Sequence, residues 1–298
     1  MRRDGGEYLK LTLGDRTGSL PAMVWDGVAE ARELCRPGAV VLVSGRFSVH
    51  PRFGPQLAVQ ALRAALENEY AHDELLDGPS RTAPQMEADF RELLATIQNP
   101  YLRRLLAGIF GEESPTWASY RDAPAAKRYH QAYQHGLLEH CLTVAQAVSA
   151  ISATFPGIDR DVAVTGALLH DIGKLDAYEV QGGAIGMSDH GRLYGEIPIG
   201  YYMVRREIER IDGFPGELAQ AVLHIILSHH GALEHGSPVV PCTREATLVH
   251  MIDNLGGRLG SFDRIERELA AGEEWSGYDK ALGGGAYFAG RAETAEAA

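Results

Sequence analysis

Six histidine and aspartate side chains lie in helical, largely apolar stretches of this chain, far apart in sequence. His140 sits in GLLEHCL. His170 and Asp171 follow the apolar run Ala167–Leu169 in LLHDIGK. His229 and His230 end AVLHIILSHHG, and Asp253 lies in LVHMIDNL. Burying imidazoles and carboxylates is costly unless they are paired or hold a metal. A fold for this chain must therefore bring these positions together or give each its own partner. Each has an ordinary reading alone: His140 as a satisfied helix residue, His229–His230 as a helix C-cap pair, Asp253 as a hydrogen-bonded acid. The order H…HD…HH…D makes coincidence a poor account of all six. Imidazole with carboxylate suits Mn, Fe, Co or Zn, and Mg where carboxylates dominate. Adjacent helical residues point about 100° apart, so His170 and Asp171 can serve one ion only near a helix end. Gly173 opens the chain there, and Lys174 is placed to meet a phosphate oxygen as a point charge. His250, three residues before Asp253, reads equally as outer support for the ligands or as packing. His224 reads as structural and His50, His72 and His235 as loop residues, while His130 has no derivable role.

The periodicity changes along the chain. Glu7–Leu13 alternates at period two, the turn residues Gly14–Ser19 follow, and Leu20–Trp25 reads as a second strand. Gly27–Cys35 reads as a short helix. Val40–Val49 is a long strand whose Gly45 marks a bulge or bend, and Gln56–Leu62 closes the set. A small antiparallel barrel fits residues 1–65. Residues 66–84 read as a linker. Helical patterns follow at Met86–Ile109, Ala125–Phe155, Arg160–Leu175, Ile197–Ile211, Gly216–Ser228 and Arg244–Ala271, punctuated by Gly and Pro. An all-α bundle over residues 85–280 and a disordered tail over 281–298 complete the division.

Composition narrows the class. With 298 residues, 45% hydrophobic and 23% charged, the chain can bury a sizeable core. It has no 18-residue apolar run and no apolar leader, so neither a membrane span nor a signal peptide is expected. Three distant cysteines, Cys35, Cys141 and Cys242, fit a reducing cytoplasm. The net charge of −12 disfavours non-specific nucleic-acid binding by the chain as a whole. The load is uneven, however: residues 1–70 hold 9 Lys and Arg against 8 Asp and Glu, and the remainder holds 19 against 32. The first part stays able to approach a polyanion, and the acidic second part suits divalent cations.

The order LLEH, HDIGK, SHHG and a late helical Asp resembles the HD-domain phosphohydrolases. The stretches DAPAAKRYHQAYQHGLLEHCLTVAQAV, LLHDIGKLDAYE and LSHHGALEHGSPVVPCTREATLVHMIDNL are similar to the YhaM-type 3′–5′ exoribonucleases, over about residues 5–280. Tyr8–Trp25 is similar, less specifically, to that family's OB-fold D-x-T-G hairpin. The resemblance implies two divalent ions, Mn²⁺ first, with Fe, Co or Mg as alternatives. His140, His170, Asp171 and Asp253 would hold one ion; Asp171 would bridge to a second held with His229 and His230. Lys174 would contact the scissile phosphate, and Asp171 and Lys174 would be the catalytic pair. The family usually has Gly-His-Ile where this chain has Gly195-Glu196-Ile197. Glu196 would then ligate through oxygen, with His190 a weaker substitute. Gln131 and His135, where the family places His and Gly, read as peripheral.

The resemblance implies degradation of single-stranded RNA, or of DNA, to nucleoside 5′-monophosphates, with a homo-oligomer among the expected assemblies. Arg46, Arg52 and Arg63 would meet phosphates; Trp25 and Phe53 are the candidates to stack on bases, Trp25 reading more readily as a barrel-core residue and Phe53, in the HPRFGPQ turn, as exposed. An OB fold has five strands and four are legible, so the first is missing. That leaves a misplaced start or an open barrel. Two alternatives stay open: an HD nucleotidase or phosphodiesterase for small nucleotides, and a non-catalytic OB-fold binding protein with a degenerate metal site.

Overall fold

The computed structural model describes residues 7–290, apart from 16–17, 37, 51–53, 71–74, 76–77, 80, 128–130, 182–183 and 271. Arg52, Phe53, His72, His130 and residues 291–298 of the expected tail therefore lie outside the described residues; residues 281–290 of that tail are ordered, with Ala286 buried and Tyr287 bridged to Trp275. The chain divides into two compact units, residues 1–77 with 180–186, and residues 78–179 with 187–298.

The first unit carries four strands and a helix: β1 (Leu9–Asp15), β2 (Gly18–Val24), α1 (Val28–Leu34), β3 (Val41–His50) and β4 (Gly54–Ala64). The sheet order is β1-β2-β4-β3. β1 and β2 form an antiparallel hairpin from Leu9 opposite Val24 to Asp15 opposite Gly18. β4 then lies parallel to β2, with Ala22 opposite Leu57, and antiparallel to β3. This is the OB-like strand region expected, with one correction. The strands form an open sheet with a parallel pair, not a closed antiparallel barrel. Returning through α1 and β3 brings β4 beside β2 in the same direction, and among the described residues no fifth strand joins the two edges. Gly45 sits at the register shift in β3, where a Cβ would fall 2.4 Å from the Ala58 carbonyl oxygen. The first unit buries little: among its described residues only the apolar side chains of Ala22 and Val24 in the sheet and Ala31 in α1 are buried.

The second unit holds the large core. Its helices are α2 (Ala83–Ala95), α3 (Pro100–Phe110), α4 (Pro115–Asp122), α5 (Gly136–Ser152), α6 (Arg160–Leu169), α7 (Lys174–Ala177), α8 (Asp189–Tyr194), α9 (Glu196–Glu209), α10 (Gly216–Ser228) and α11 (Arg244–Glu268). Between α7 and α8 the chain forms the hairpin β5 (Tyr178–Gln181) and β6 (Ala184–Met187), whose residues 180–186 belong to the first unit. The helix expected over Met86–Ile109 is two. Asn99 accepts from Tyr101 N and Leu102 N and caps α3, with Pro100 in the first helical position; an Asn-Pro pair is a helix start. The helix expected from Ala125 begins only at Gly136, because Gln131 and His135 take left-handed backbone angles that interrupt it. α4, β5, β6 and α8 were not anticipated.

α6 is buried from Val162 to Leu169 and packs against α5, α10 and α11. Leu138, Leu142, Val164, Leu168, Ile225 and Val249 fill the contacts between them. A fully buried aliphatic side chain contributes about 1.5–3 kcal/mol, so this bundle, with its long roll of such residues, is the rigid body of the chain. No helix among the described residues is long and apolar enough to cross a membrane.

Candidate metal centre

α6 and the three helices packed on it, α5, α10 and α11, each bring a candidate ligand to one region of the bundle. His140 projects from the first turns of α5, Asp253 from α11. His170 and Asp171 follow the last residue of α6, and His229 and His230 follow that of α10. A helix C-terminus leaves carbonyls without intrahelical donors and carries partial negative charge. Both features are used here. His170 Nδ1 donates to the Ala167 carbonyl at 2.7 Å, and His229 Nδ1 to the Ile226 carbonyl at 2.8 Å. A carbonyl only accepts, so the proton is on Nδ1 and Nε2 turns its lone pair outward. His230 is set the same way, by the His235 carbonyl at 2.9 Å.

Nε2 of His140 lies 3.1 Å from Nε2 of His170, and 3.2 Å from both Asp171 Oδ2 and Asp253 Oδ1. His170 Nε2 is 3.4 Å from Asp171 Oδ2 and 3.9 Å from Asp253 Oδ1. Ligands about 2.0–2.2 Å from one ion stand about 3.0–3.5 Å apart, which is the spacing of this knot. The other carboxylate oxygen, Asp171 Oδ1, is 3.5 Å from His229 Nε2. Glu196 Oε1, on the first residue of α9, is 3.3 Å from His230 Nε2. Asp171, Glu196, His229 and His230 form one group of ligand atoms within 4.8 Å of one another, and His140, His170 and Asp253 form another. Asp171 thus faces both groups, one oxygen to each.

The residues fit a cation-binding centre. Asp171 Oδ1 and His229 Nε2 are buried with no hydrogen-bond partner, a costly arrangement that a cation between them would relieve. Three carboxylates converge against one ammonium, Lys174 Nζ, 2.7 Å from Asp171 Oδ2. With neutral imidazoles the cluster is anionic. Burial alone would raise the Asp171 carboxyl, but Lys174 and His170 outweigh it and hold it well below the usual range. Burial would likewise depress His140, yet its bonds to Asp171 and Asp253 push it up to about 9. In His140 a proton occupies the place that a cation would take. At His229 burial outweighs the pull of Asp171 and lowers the group. Cys141 reaches His170 and Asp171 as well; burial and Asp171 raise its thiol.

Gly173 explains how Glu196 arrives. A Cβ there would lie 2.0 Å from the Glu196 carbonyl oxygen and 2.6 Å from Gly200 N, so only glycine lets the start of α9 press on the turn after α6. Gly195, at φ 76°, turns the chain into α9. Gly231 plays a similar part: a Cβ would meet the His250 ring at 2.1 Å. His250 donates to the His229 carbonyl at 2.7 Å and so supports a ligand from outside. His224 accepts the Cys242 N–H at 2.8 Å and is structural. His190 pairs with Asp176 at 2.9 Å and is not in either ligand group.

All seven residues expected to hold metal are therefore brought together, as is Lys174. Gln131 was misread as peripheral: it is buried and its side chain bonds to His140. No periodicity marks such a residue, because its role comes from a loop folding over α5. The nucleic-acid residues fare differently. Arg46 is exposed on β3. Arg63 is engaged by Glu69, with Nη1–Oε2 at 2.7 Å and Nη2–Oε1 at 2.6 Å, and that fork lowers the Glu69 carboxyl to about 2. Trp25 is not a core residue; it is 39% exposed, its ring 5.4 Å from that of Tyr8. The hairpin exposes it because it follows the last residue of β2.

Comparison with known proteins agrees with this partition. The HD domain family matches residues 137–257, and the OB-fold nucleic acid binding domain family matches residues 1–64. The chain is 31% identical over 274 residues to a 3′–5′ exoribonuclease YhaM of Geobacillus sp. (strain WCH70), covering 91% of this chain and 82% of the relative. It is 29% identical over 272 residues to the 3′–5′ exoribonuclease YhaM of Bacillus subtilis (strain 168), covering 91% and 84%. No solved structure matches.

Proposed function

Because the chain belongs to the YhaM 3′–5′ exoribonuclease family, we propose that it is a metal-dependent 3′–5′ exonuclease of single-stranded RNA, working through a two-cation centre on Asp171. One observation carries the count of two: the oxygens of Asp171 face separate ligand groups. His140, His170 and Asp253 would share the first cation with Oδ2. Glu196, His229 and His230 would share the second with Oδ1. Two carboxylates and two imidazoles at each position suit Mn²⁺, and Fe, Co or Mg are the alternatives. Bound cations supply a nucleophile from water at neutral pH and offset phosphoryl charge.

The protein's own part is orientation and charge. The four imidazoles keep Nε2 aimed at the cations through fixed Nδ1 partners. Lys174, whose ammonium Asp171 and Glu196 keep protonated, rests on Asp171 Oδ2 and would swing to a non-bridging phosphate oxygen, offsetting charge as the phosphorane forms. Products would be nucleoside 5′-monophosphates. In the sheet unit, Trp25 on Tyr8 offers a stacking surface and Arg46 a phosphate contact. Phe53 and Arg52 keep the roles the resemblance gives them.

The test is a 5′-labelled single-stranded RNA incubated with the full chain and Mn²⁺. A ladder shortening from the 3′ end, lost in Asp171→Ala, is the expected outcome; no shortening under Mn²⁺, Co²⁺, Fe²⁺ or Mg²⁺ overturns the reading. The open sheet and the engaged Arg63 favour one second reading, a hydrolase of small nucleotides. Turnover of mononucleotides with RNA untouched would establish it.

A further inference from the structure

We propose that Gln131 is a positioning residue for the cation bound by His140, an inference that rests on the metal-dependent reading above. Three of the four ligand imidazoles lean on backbone carbonyls, those of Ala167, Ile226 and His235. His140 cannot do the same. It is the fifth residue of α5, where nearby carbonyls are taken by the helix's own hydrogen bonds. Its Nδ1 instead meets Gln131 Oε1 at 3.0 Å. The amide is oriented from behind: Gln131 Nε2 donates to Glu139 Oε2 at 3.4 Å, and the Tyr133 hydroxyl donates to the same oxygen. A carboxylate facing the NH₂ leaves the amide oxygen for His140. That oxygen accepts, so His140 keeps its proton on Nδ1 and turns Nε2 to the cation.

The backbone holds Gln131 at this post. Its φ is 60°, a left-handed angle that a side chain seldom takes. Its carbonyl accepts from Ala125 N at 3.1 Å. Gly136 makes room, since a Cβ there would lie 2.1 Å from the Gln131 carbonyl oxygen. A left-handed, 5% exposed glutamine kept against its local preference points to a task set by the side chain.

The experiment titrates Mn²⁺ into the metal-free full-length chain against a chelating dye, for wild type, Gln131→Met, His140→Ala and the double variant. Methionine keeps the volume and removes the strong acceptor. The expected result is a loss of affinity of about 10–100-fold in Gln131→Met, and no further loss when Gln131→Met is added to His140→Ala. Wild-type affinity in Gln131→Met beside a weakened His140→Ala overturns the proposal, as does additional loss in the double variant. Wild type that takes up no Mn²⁺, or His140→Ala that binds like wild type, overturns the metal reading itself and the proposal with it.

Discussion

At His140 a proton and a cation compete for one lone pair. The group is pushed up from 6.5 to about 9 by Asp171 and Asp253 against its own burial. The folded value is raised, so in metal-free protein this protonation contributes stability fully present below pH 6.5 and lost as pH rises through about 9. Metal binding must expel that proton. Affinity for the first cation is therefore expected to rise about tenfold per pH unit between pH 7 and 9, with about one proton released. Calorimetry in two buffers of different ionisation heat reads the proton; a pH-independent affinity refutes the assignment. Lys174 acts with the opposite charge. Its ammonium sits on the oxygen that faces the first cation, so Lys174→Ala should bind Mn²⁺ at least as tightly as wild type. Its kcat on RNA should fall about 10²–10³-fold. Equal loss of metal and turnover would make Lys174 structural.

At the scale of elements, the centre depends on how closely α9 approaches the turn after α6. Gly173→Ala places a methyl against the Glu196 carbonyl oxygen and Gly200 N, backbone atoms that cannot rotate away. A cost of about 1–3 kcal/mol is expected from the overpacking, measured by denaturant unfolding. Loss of one cation, measured by metal analysis, should accompany it while the His140 side stays loaded. The helix ends were partly legible in sequence. Gly216–Ser228 was read with its own bounds, since Pro215 precedes it and His229–His230-Gly231 ends it. The break at Asn99 was passed over, although Asn-Pro announces a cap. β5, β6 and α8 were passed over because short segments rich in glycine show no period over enough residues.

Across the whole molecule, the proposed function puts grip in the sheet unit, where the OB-fold family matches, and chemistry in the helical unit, where the HD family matches. Trp25→Ala with Arg46→Ala should weaken binding of a long single-stranded RNA by about 1–3 kcal/mol for the lost stack, read by fluorescence anisotropy at fixed salt. Cleavage of a dinucleotide should be unchanged; a parallel loss on the dinucleotide would place these residues in the catalytic unit's service. The sequence by itself determined the two-part order of strands then helices, and the ligand types, because periodicity and the cost of burying imidazole and carboxylate are local. His140, His170, Asp171, His229, His230 and Asp253 are legible that way, and Glu196 only through the family resemblance. Tertiary structure decided what depends on distant backbone meeting: that the sheet is open, that Arg63 is spent on Glu69, that Trp25 is exposed, and that Gln131 stands behind His140. Those contacts join loops whose conformations carry no period. Only the packing of α5, α6, α9, α10 and α11 brings the seven separated side chains into one candidate site with Asp171 between its halves.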